Sequence, residues 1–338
     1  MDVLIDVGSS NIKWKIYEEG KGTGEGSIPF PAPLRDEYPY FEVDGEEIIG
    51  CVQKIIRLFS PSRTFFSVQM HGYILLKNGK PVTPYISWRD KRGEGITPHF
   101  SIAQEYGVSL KPNLPRLSLQ TLHTDADSFC TLGSFLSYCL TGRNETHITD
   151  AAASGFFNVK LKSIDECRLY LPEASFYVKE IGRYASSRIY TPIGDQQASV
   201  LGAVSACSEH GNGYVMNLGT AGQLCMISKK FIRGDFDSRP YFYGKTLCTV
   251  TGLPAGEFLE RQKNADRTQT EEIMYQKYFS ALQKLPRRKS ILAVGGVTKY
   301  HRDSVERVLN RLGLDYFVDE KSGAIEGLKI LAGEAEKR

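Results

Sequence analysis

The sequence predicts an α/β protein built from two similar domains around a central cleft. The chain has 338 residues, more than one hydrophobic core usually organises. A strand, a turn of glycine and hydroxyl residues and a second strand are predicted in "VLIDVGSSNIKWKIY" and again in "GYVMNLGTAGQLCMI". A strand, a glycine turn and a helix follow in "ILAVGGVTKYHRDSVERVLNRLG". This repetition indicates a duplicated unit, with one loop of each unit facing the cleft.

In the first half, the spacing of apolar residues predicts a hairpin, a helix and further strands. The runs "DVLIDV" and "IKWKIY" form the hairpin, and "EEIIGCVQKIIRLF" has helical periodicity. "TFFSVQM" predicts a strand, and "GYILLKNGKPVTPYISW" predicts a strand pair that turns at Asn78 and Gly79.

Residues 100–185 favour helix, most clearly in the amphipathic stretch "DSFCTLGSFLSYCL". No linker rich in proline, glycine or serine separates the two halves. The order of the motifs alone places the boundary near residue 187, which gives predicted domains of 1–186 and 187–338.

The bulk composition excludes several classes of protein. The net charge is only +3, and the densest basic stretch, "LPRRKS", is explained by a solvated loop, so we expect no nucleic-acid or membrane partner. The seven cysteines have neither zinc-site nor redox-pair spacing, which predicts reduced thiols. No leader and no run of membrane-spanning length is visible, so we expect a cytoplasmic protein.

The two glycine turns are candidate phosphate-binding loops. Several backbone N–H groups of such a turn point at one spot, and the hydroxyls of Ser9, Ser10 and Thr220 add donors. Lys13 is placed to reach a terminal phosphate, and Asp6 is placed to hold Mg²⁺ directly or through water. A single turn of this kind commonly only reverses the chain, and the paired occurrence favours phosphate binding.

Asp195 has two interpretations. It stands between a glycine and a helix-like stretch in "TPIGDQQASVLGA". A carboxylate there is commonly a helix cap. It is equally suited to act as a general base that takes a proton from a hydroxyl attacking phosphorus. The residues alone leave both interpretations open.

The segments "SVQMHGYILL" and "ISWRDKR" hold candidate substrate ligands. His71 and Asp90 would bind hydroxyl groups while Trp88 supplies an apolar wall. A lone histidine is more often packed or merely exposed, and Trp88 is equally a candidate core residue. These alternatives also stay open.

Seven ordered segments, spread from residue 2 to about residue 333, together resemble the FGGY carbohydrate kinases of the actin, hexokinase and heat-shock-70 superfamily. They are "DVGSSNIKW", "VQMHGYILL", "ISWRDKR", "LTGRNETHITDAAASGFFN", "PIGDQQASVLGA", "NLGTAGQL" and "AVGGVTKYH". The resemblance implies two ribonuclease H-like domains that close over ATP, Mg²⁺ and a sugar or polyol, with direct in-line phosphoryl transfer.

The resemblance also implies a role for each matching residue. Asp195 matches the catalytic base and Asp6 the metal-associated carboxylate. The positions matching the phosphate and adenosine loops are Gly8, Ser9, Ser10, Asn11, Lys13, Gly219, Thr220, Gly256, Gly295 and Gly296. The positions matching substrate-side segments are Met70, His71, Trp88, Asp90 and Gln196.

Within the family, Met-His after the glutamine is similar to ketose kinases, whereas glycerol kinases carry Arg-Glu there. The later stretch "GTAGQLCMI…RPYFYGKTLCTVTGLPAGEFLE" looks like sedoheptulokinases. The resemblance therefore favours a seven-carbon ketose, with a five-carbon ketose such as xylulose or ribulose as the alternative. It leaves a homodimer open as the assembly.

Some features depart from the family pattern. The C-terminal domain is shorter than usual, mainly between "GEFLERQK" and "SILAVGG", and Val297 and Tyr300 replace the usual glycine and asparagine of the adenosine loop. Two alternatives to a kinase follow. One is a non-catalytic sugar-binding protein with an eroded adenine pocket, and the other is an actin-like assembly ATPase.

Overall fold

The structure is a computed structural model that describes residues 1–96, 103–107, 113–207, 212–320 and 323–336. The described strands, in chain order, are β1 (Asp2–Val7), β2 (Asn11–Glu18), β3 (Lys21–Pro29), β4 (Pro33–Glu37), β5 (Tyr40–Val43), β6 (Arg63–Val68), β7 (Tyr73–Lys77), β8 (Lys80–Pro81), β9 (Tyr85–Ile86), β10 (Ser128–Thr131), β11 (Glu145–His147), β12 (Phe157–Asn158), β13 (Ser163–Ile164), β14 (Glu173–Ser175), β15 (Glu180–Tyr184), β16 (Ser187–Tyr190), β17 (Ile193–Gly194), β18 (Tyr214–Leu218), β19 (Gly222–Ser228), β20 (Asp237–Pro240), β21 (Thr246–Leu253), β22 (Ser290–Val294) and β23 (Asp315–Asp319). The described α-helices are α1 (Gly45–Phe59), α2 (Pro115–Ser118), α3 (Leu132–Thr141), α4 (Ile148–Ala151), α5 (Asp195–Ala206), α6 (Gly256–Arg261), α7 (Arg267–Lys284), α8 (Gly296–Tyr300), α9 (Arg302–Leu312) and α10 (Ala324–Ala335).

Two large sheets share one topology. The first has the order β15-β16-β6-β1-β2-β3, and the second has the order β20-β21-β19-β18-β22-β23. In the first, β1 is antiparallel to β2 and parallel to β6. In the second, β18 is antiparallel to β19 and parallel to β22. The duplication predicted from the sequence is therefore present in the strand directions as well as in the motifs.

Helices cover both faces of each sheet because alternate residues of the central strands point to opposite sides. Val3 and Ile5 of β1 pack with α1, whereas Leu4 belongs to a different cluster that includes residues of α5 and α10. The same cluster holds Val215 and Leu292 of the second sheet. The helices α5 and α10 therefore lie in the apolar layer that joins the two halves.

The crossing of α5 and α10 depends on glycine. A Cβ at Gly327 of α10 would lie 2.0 Å from the carbonyl oxygen of Ala198, and a Cβ at Gly202 of α5 would lie 2.7 Å from that of Gly323. Only a hydrogen atom fits at either position, so the two helix backbones can come this close.

The last helix also bonds to the first sheet. Arg63 of β6 pairs with Asp2 and donates from Nη1 to the carbonyl oxygen of Ala332 at 3.3 Å. Lys15 of β2 pairs with Glu326 at 3.2 Å. The chain end is thus held against the half in which the chain begins.

The predicted hairpins, the first long helix and the helix after Gly194 are confirmed, with bounds close to those expected. The middle was predicted to favour helix, and the residues described there mix the short helices α2, α3 and α4 with strands. "DSFCTLGSFLSYCL" divides into β10 and α3, and β11 to β15 follow within 145–184. Thr131 ends the strand and caps α3, its hydroxyl accepting from Ser134 N at 3.1 Å, so one apolar run serves two elements.

The strands on either side of the predicted boundary at residue 187, β15 and β16, pair with each other in the first sheet. Within the described residues, no helix has both the length and the apolar character needed to cross a membrane.

Candidate active site

A cleft of about 1590 Å³ lies between the two halves. All the predicted site residues except Asp90 and Gln196 line it. The ends of β1 and β18 and the start of α5 all meet there, because the shared topology brings corresponding turns to the same edge of each sheet.

The first loop, Gly8–Asn11, closes the hairpin of β1 and β2. The N–H of Gly8 donates to the carbonyl oxygen of Asn11 at 3.1 Å, which fixes the turn. Ser10 is exposed and Ser9 is partly so, and both line the cleft. Asp6 and Lys13 are direct cross-strand neighbours beneath this turn. A carboxylate, an ammonium group and two hydroxyls therefore face one region of the cleft.

The second loop, with Gly219 and Thr220, occupies the matching position between β18 and β19. The N–H of Gly256 donates to the carbonyl oxygen of Gly219 at 3.0 Å, and that of Glu257 to Thr220 at 2.9 Å. A Cβ at Gly256 would lie 3.0 Å from the oxygen of Gly219, so a glycine suits this contact. The start of α6 therefore fixes the second loop.

The third loop follows β22. Gly295 has a φ of +108°, and a Cβ there would lie 2.5 Å from the carbonyl oxygen of Leu218. Its own carbonyl oxygen accepts from the hydroxyl of Thr298 at 2.6 Å. Gly296 has open space at its Cα. Gly295 thus packs on the strand that leads into the second loop, while Gly296 stays open to the cleft.

Asp195 is the first residue of α5 and faces the cleft. Burial raises the pKa of its carboxyl group to about 7, and the nearby carboxyl of Asp6 acts in the same direction. The backbone N–H of Gln196, which donates at 2.7 Å, and the guanidinium of Arg239 act in the opposite direction. The carboxyl group therefore exchanges its proton near neutral pH, as a general base requires.

Asp6 is held by its neighbours and faces Asp195. Its Oδ1 accepts from the hydroxyl of Ser67 at 2.7 Å. Burial raises the pKa of Asp6, while Ser67 and Lys13 oppose that shift. Two carboxyl groups that disfavour each other's charge would be stabilised by a cation between or beside them.

The substrate-side segment places Met70, His71 and Trp88 in the cleft wall. His71 has a φ of +65°, which is uncommon for a residue with a side chain, and its Nδ1 lies 3.0 Å from the carbonyl oxygen of Ala153. Because a carbonyl oxygen only accepts, Nδ1 carries the proton. In the neutral ring Nε2 is then the acceptor.

Asp90 does not line the cleft. It is 1% exposed, and its carboxylate accepts from Phe41 N at 2.8 Å and pairs with Arg92 at 2.7 Å. The carboxylate of Asp90 therefore holds the ISWRDKR turn in place through bonds to other residues of the protein. Direct contact with a substrate is not supported by its position.

Gln196 is 2% exposed and points into the second half. Its Nε2 donates to the hydroxyl of Thr249 at 2.9 Å, and its Oε1 accepts from Arg239 Nη1 at 2.7 Å. The residue that lines the cleft at this point is Arg239. The predicted direct role of Gln196 in binding is likewise not supported by its position.

Sequence reasoning missed several cleft residues. Gln69, Asn113, Gln223 and Arg239 line the cleft but were not among the predicted site residues. Gln69, Gln223 and Arg239 stand inside segments that carry the family resemblance, and that position is the signal that could have found them. Asn113 stands in none of those segments.

A second cavity of about 440 Å³ is lined mainly by apolar and aromatic side chains from both halves. It contains none of the predicted site residues. We assign the active site to the larger cleft on its chemistry.

The family profile for the N-terminal domain of the FGGY family of carbohydrate kinases matches residues 1–172. The chain belongs to the FGGY family of carbohydrate kinases. No curated protein sequence matches it significantly.

This FGGY kinase is similar in fold to several solved kinase structures. A ligand-bound xylulose kinase from Lactobacillus acidophilus is 17% identical with a TM-score of 0.82, over 100% of this chain and 90% of that one. A gluconate kinase from the same organism is 17% identical with a TM-score of 0.81, over 99% and 89%. A Plasmodium falciparum glycerol kinase with ADP is 14% identical with a TM-score of 0.76, over 100% and 90%. The predicted pair of actin-like domains around a cleft is confirmed.

Proposed function

We propose that this carbohydrate kinase transfers the γ-phosphoryl group of ATP to a primary hydroxyl of a ketose, with Asp195 as general base. One observation carries the proposal. A carboxyl group with a pKa of about 7 shares a single cleft with two hydroxyl-glycine loops, one from each half of the chain. That arrangement suits proton removal next to a bound triphosphate.

Each part of the cleft has a task in this reaction. Asp195 takes the proton of the attacking hydroxyl, which makes the oxygen a better nucleophile. The loops at Ser9 and Thr220 donate hydrogen bonds to phosphate oxygens from opposite sides, and Lys13 adds a positive charge. Closure of the two halves would exclude water, which would otherwise compete as acceptor.

Magnesium is expected beside Asp6. No group of three or more His, Cys, Asp or Glu side chains suited to a metal occurs among the described residues, so an all-protein cage is not part of the described structure. Mg²⁺ commonly takes one or two carboxylates, phosphate oxygens and water, and the Asp6 carboxylate at the first phosphate loop fits that pattern. When bound, the ion neutralises charge on the transferred group.

The acceptor is best sought among ketoses. His71 lines the cleft at the position where the family resemblance separates ketose kinases from glycerol kinases. The segment from Gly219 to Glu260 resembles heptulose kinases, so we propose a heptulose such as sedoheptulose first and a pentulose such as xylulose or ribulose second.

A coupled assay of ADP release tests the proposal directly. Purified protein with ATP and Mg²⁺ is given sedoheptulose, xylulose, ribulose, glycerol and gluconate in turn. We expect turnover with a ketose and little with glycerol. A clear preference for glycerol would overturn the interpretation of His71. Ketose binding without any ADP release would instead favour a non-catalytic sugar-binding protein.

A further inference from the structure

Arg239 is a buried cation in the wall of the cleft. It lies on β20 and is 6% exposed, yet it lines the cleft and interacts electrostatically with Asp195. Buried arginines are rare unless paired, and Arg239 is paired with Asp237.

The guanidinium plane of Arg239 is fixed from two sides. Nη2 donates to Asp237 at 2.8 Å and Nη1 donates to Gln196 Oε1 at 2.7 Å. Gln196 cannot flip, because its Nε2 donates to Thr249 at 2.9 Å and contacts Cys225 Sγ at 3.3 Å. Residues of three strands and one helix thus hold the group in a single orientation.

Part of the hydrogen-bonding capacity of Arg239 is unused. Nε is buried and has no hydrogen-bond partner among the described residues, and the same is true of Oε1 of Gln223, which also lines the cleft. An unmet buried donor destabilises the fold. Nε is covered in this structure, so a ligand oxygen would reach it only with a small movement of the cleft wall, whereas the orientation of the guanidinium group is already fixed.

We propose that Arg239 binds the acceptor sugar, donating hydrogen bonds from its guanidinium group to neutral hydroxyl or carbonyl oxygens near the hydroxyl that Asp195 deprotonates. This inference rests on the proposed function and extends it by naming a specificity-determining residue and the charge of the substrate.

The charge balance around Arg239 favours a neutral sugar over a sugar acid. Asp237 already neutralises the guanidinium, with both side chains almost fully buried. Asp195 and Asp6 lie on the same cleft. The carboxylate of a sugar acid bound beside Arg239 would be repelled by Asp195 and Asp6, and the charge of Arg239 is already balanced by Asp237. The hydroxyl oxygens of a neutral sugar would accept hydrogen bonds there without this repulsion.

Kinetics of Arg239→Lys and Arg239→Gln test the proposal. Lysine keeps the charge but lacks the planar fork, so we expect both variants to raise KM for the ketose by about tenfold or more, with KM for ATP nearly unchanged. The glutamine variant should also move the acidic limb of the pH profile to higher pH, because a cation beside Asp195 is lost. The control is Arg311→Gln, which replaces an exposed arginine paired with Glu272 on α7. It should change neither KM for the ketose nor the pH profile.

Calorimetric titration of sedoheptulose and xylulose separates this inference from the proposed function. Weaker ketose binding to the Arg239 variants than to the parent supports the inference, whether or not the parent turns over. Equal ketose binding, no ketose binding to the parent, or tighter binding of gluconate overturns it. If Arg239→Gln folds poorly, Arg239→Gln with Asp237→Asn removes both charges and gives the same comparison.

Discussion

Asp195 holds its proton more tightly than an ordinary aspartate because α5 begins inside the protein and opposite another carboxyl group. Its pKa of about 7 lies well above the ordinary aspartate value of 3.8. The activity of this kinase and the stability of its fold should therefore depend on the same group in opposite ways.

The rate should rise with pH. The base must be ionised to accept a proton, so we expect kcat/KM to increase through an apparent pKa near 7 and then level off. Asp195→Asn should lower kcat by about a hundredfold or more while ketose binding stays measurable by calorimetry. A variant that turns over at the parent rate would refute the assignment of the base.

Stability should fall as pH rises across the same range. The folded protein retains the proton of Asp195 between about pH 4 and pH 7, where the unfolded chain has lost it, so ionisation disfavours the fold. Asp195→Asn, which carries no charge, should be more stable than the parent by up to a few kcal/mol at about pH 8 and nearly equal to it at about pH 4. Urea unfolding at both pH values measures this, and an equal difference at both would contradict it.

Single residues were predictable where a short motif contained their whole environment. The turn at Gly8 and the start of α5 at Asp195 are of this kind. Asp90 and Gln196 were not, because Phe41 reaches Asp90, and Arg239 and Thr249 reach Gln196, only through tertiary packing. Arg239 itself was missed for the same reason.

Two glycines of α10 should respond in opposite ways to the same change. Gly327→Ala would place a methyl group 2.0 Å from the carbonyl oxygen of Ala198, so the helices must separate, at a cost of about 1–3 kcal/mol or more. Gly333→Ala meets nothing within 4 Å and should be neutral or stabilising by up to about 1 kcal/mol. Thermal unfolding of the two variants gives the comparison. Equal losses would show that the crossing is not tightly packed.

We expect the loop at Gly295 to tolerate an added side chain as poorly as the crossing of α5 and α10 does. Gly295→Ala would force a side chain onto a φ of +108°. Its Cβ would also lie 2.5 Å from the carbonyl oxygen of Leu218, the last residue of β18, which leads to the proposed second phosphate loop. We expect KM for ATP to rise about tenfold or more, with ketose binding less affected. Gly333→Ala on α10, which lies outside the cleft lining and has open space, is the control.

Strands and helices whose apolar residues follow one clear spacing were predicted well, and segments with mixed spacing were not. The alternation in β2 and the helical spacing in α1 each indicate a single structure. In the run from Ser128 to Thr141, apolar residues alternate with small polar ones through both elements, so its sequence does not show that β10 pairs with β7 while α3 turns away.

The whole molecule should be stabilised more by two ligands together than by either alone. The cleft is lined by both halves, and the proposed phosphate loops and substrate-side residues are among its lining. Closure around one ligand would prepare the surface for the other. We expect the rise in Tm with a non-hydrolysable ATP analogue, Mg²⁺ and a ketose to exceed the sum of the separate rises. Strictly additive shifts would argue against closure.

The overall architecture was predictable because duplication leaves a repeated pattern along the chain, and β1-β2-β6 and β18-β19-β22 follow it. The return of α10 to the first sheet was not predictable, since the contacts of Arg63 with Ala332 and of Lys15 with Glu326 join residues far apart in sequence.

The chain has only two tryptophans, and both Trp14 and Trp88 line the cleft. Indole emission from the unlabelled protein therefore originates entirely at the place where catalysis is expected. Each event there, from the arrival of a nucleotide to the departure of a phosphorylated product, should leave its own optical trace in a stopped-flow record.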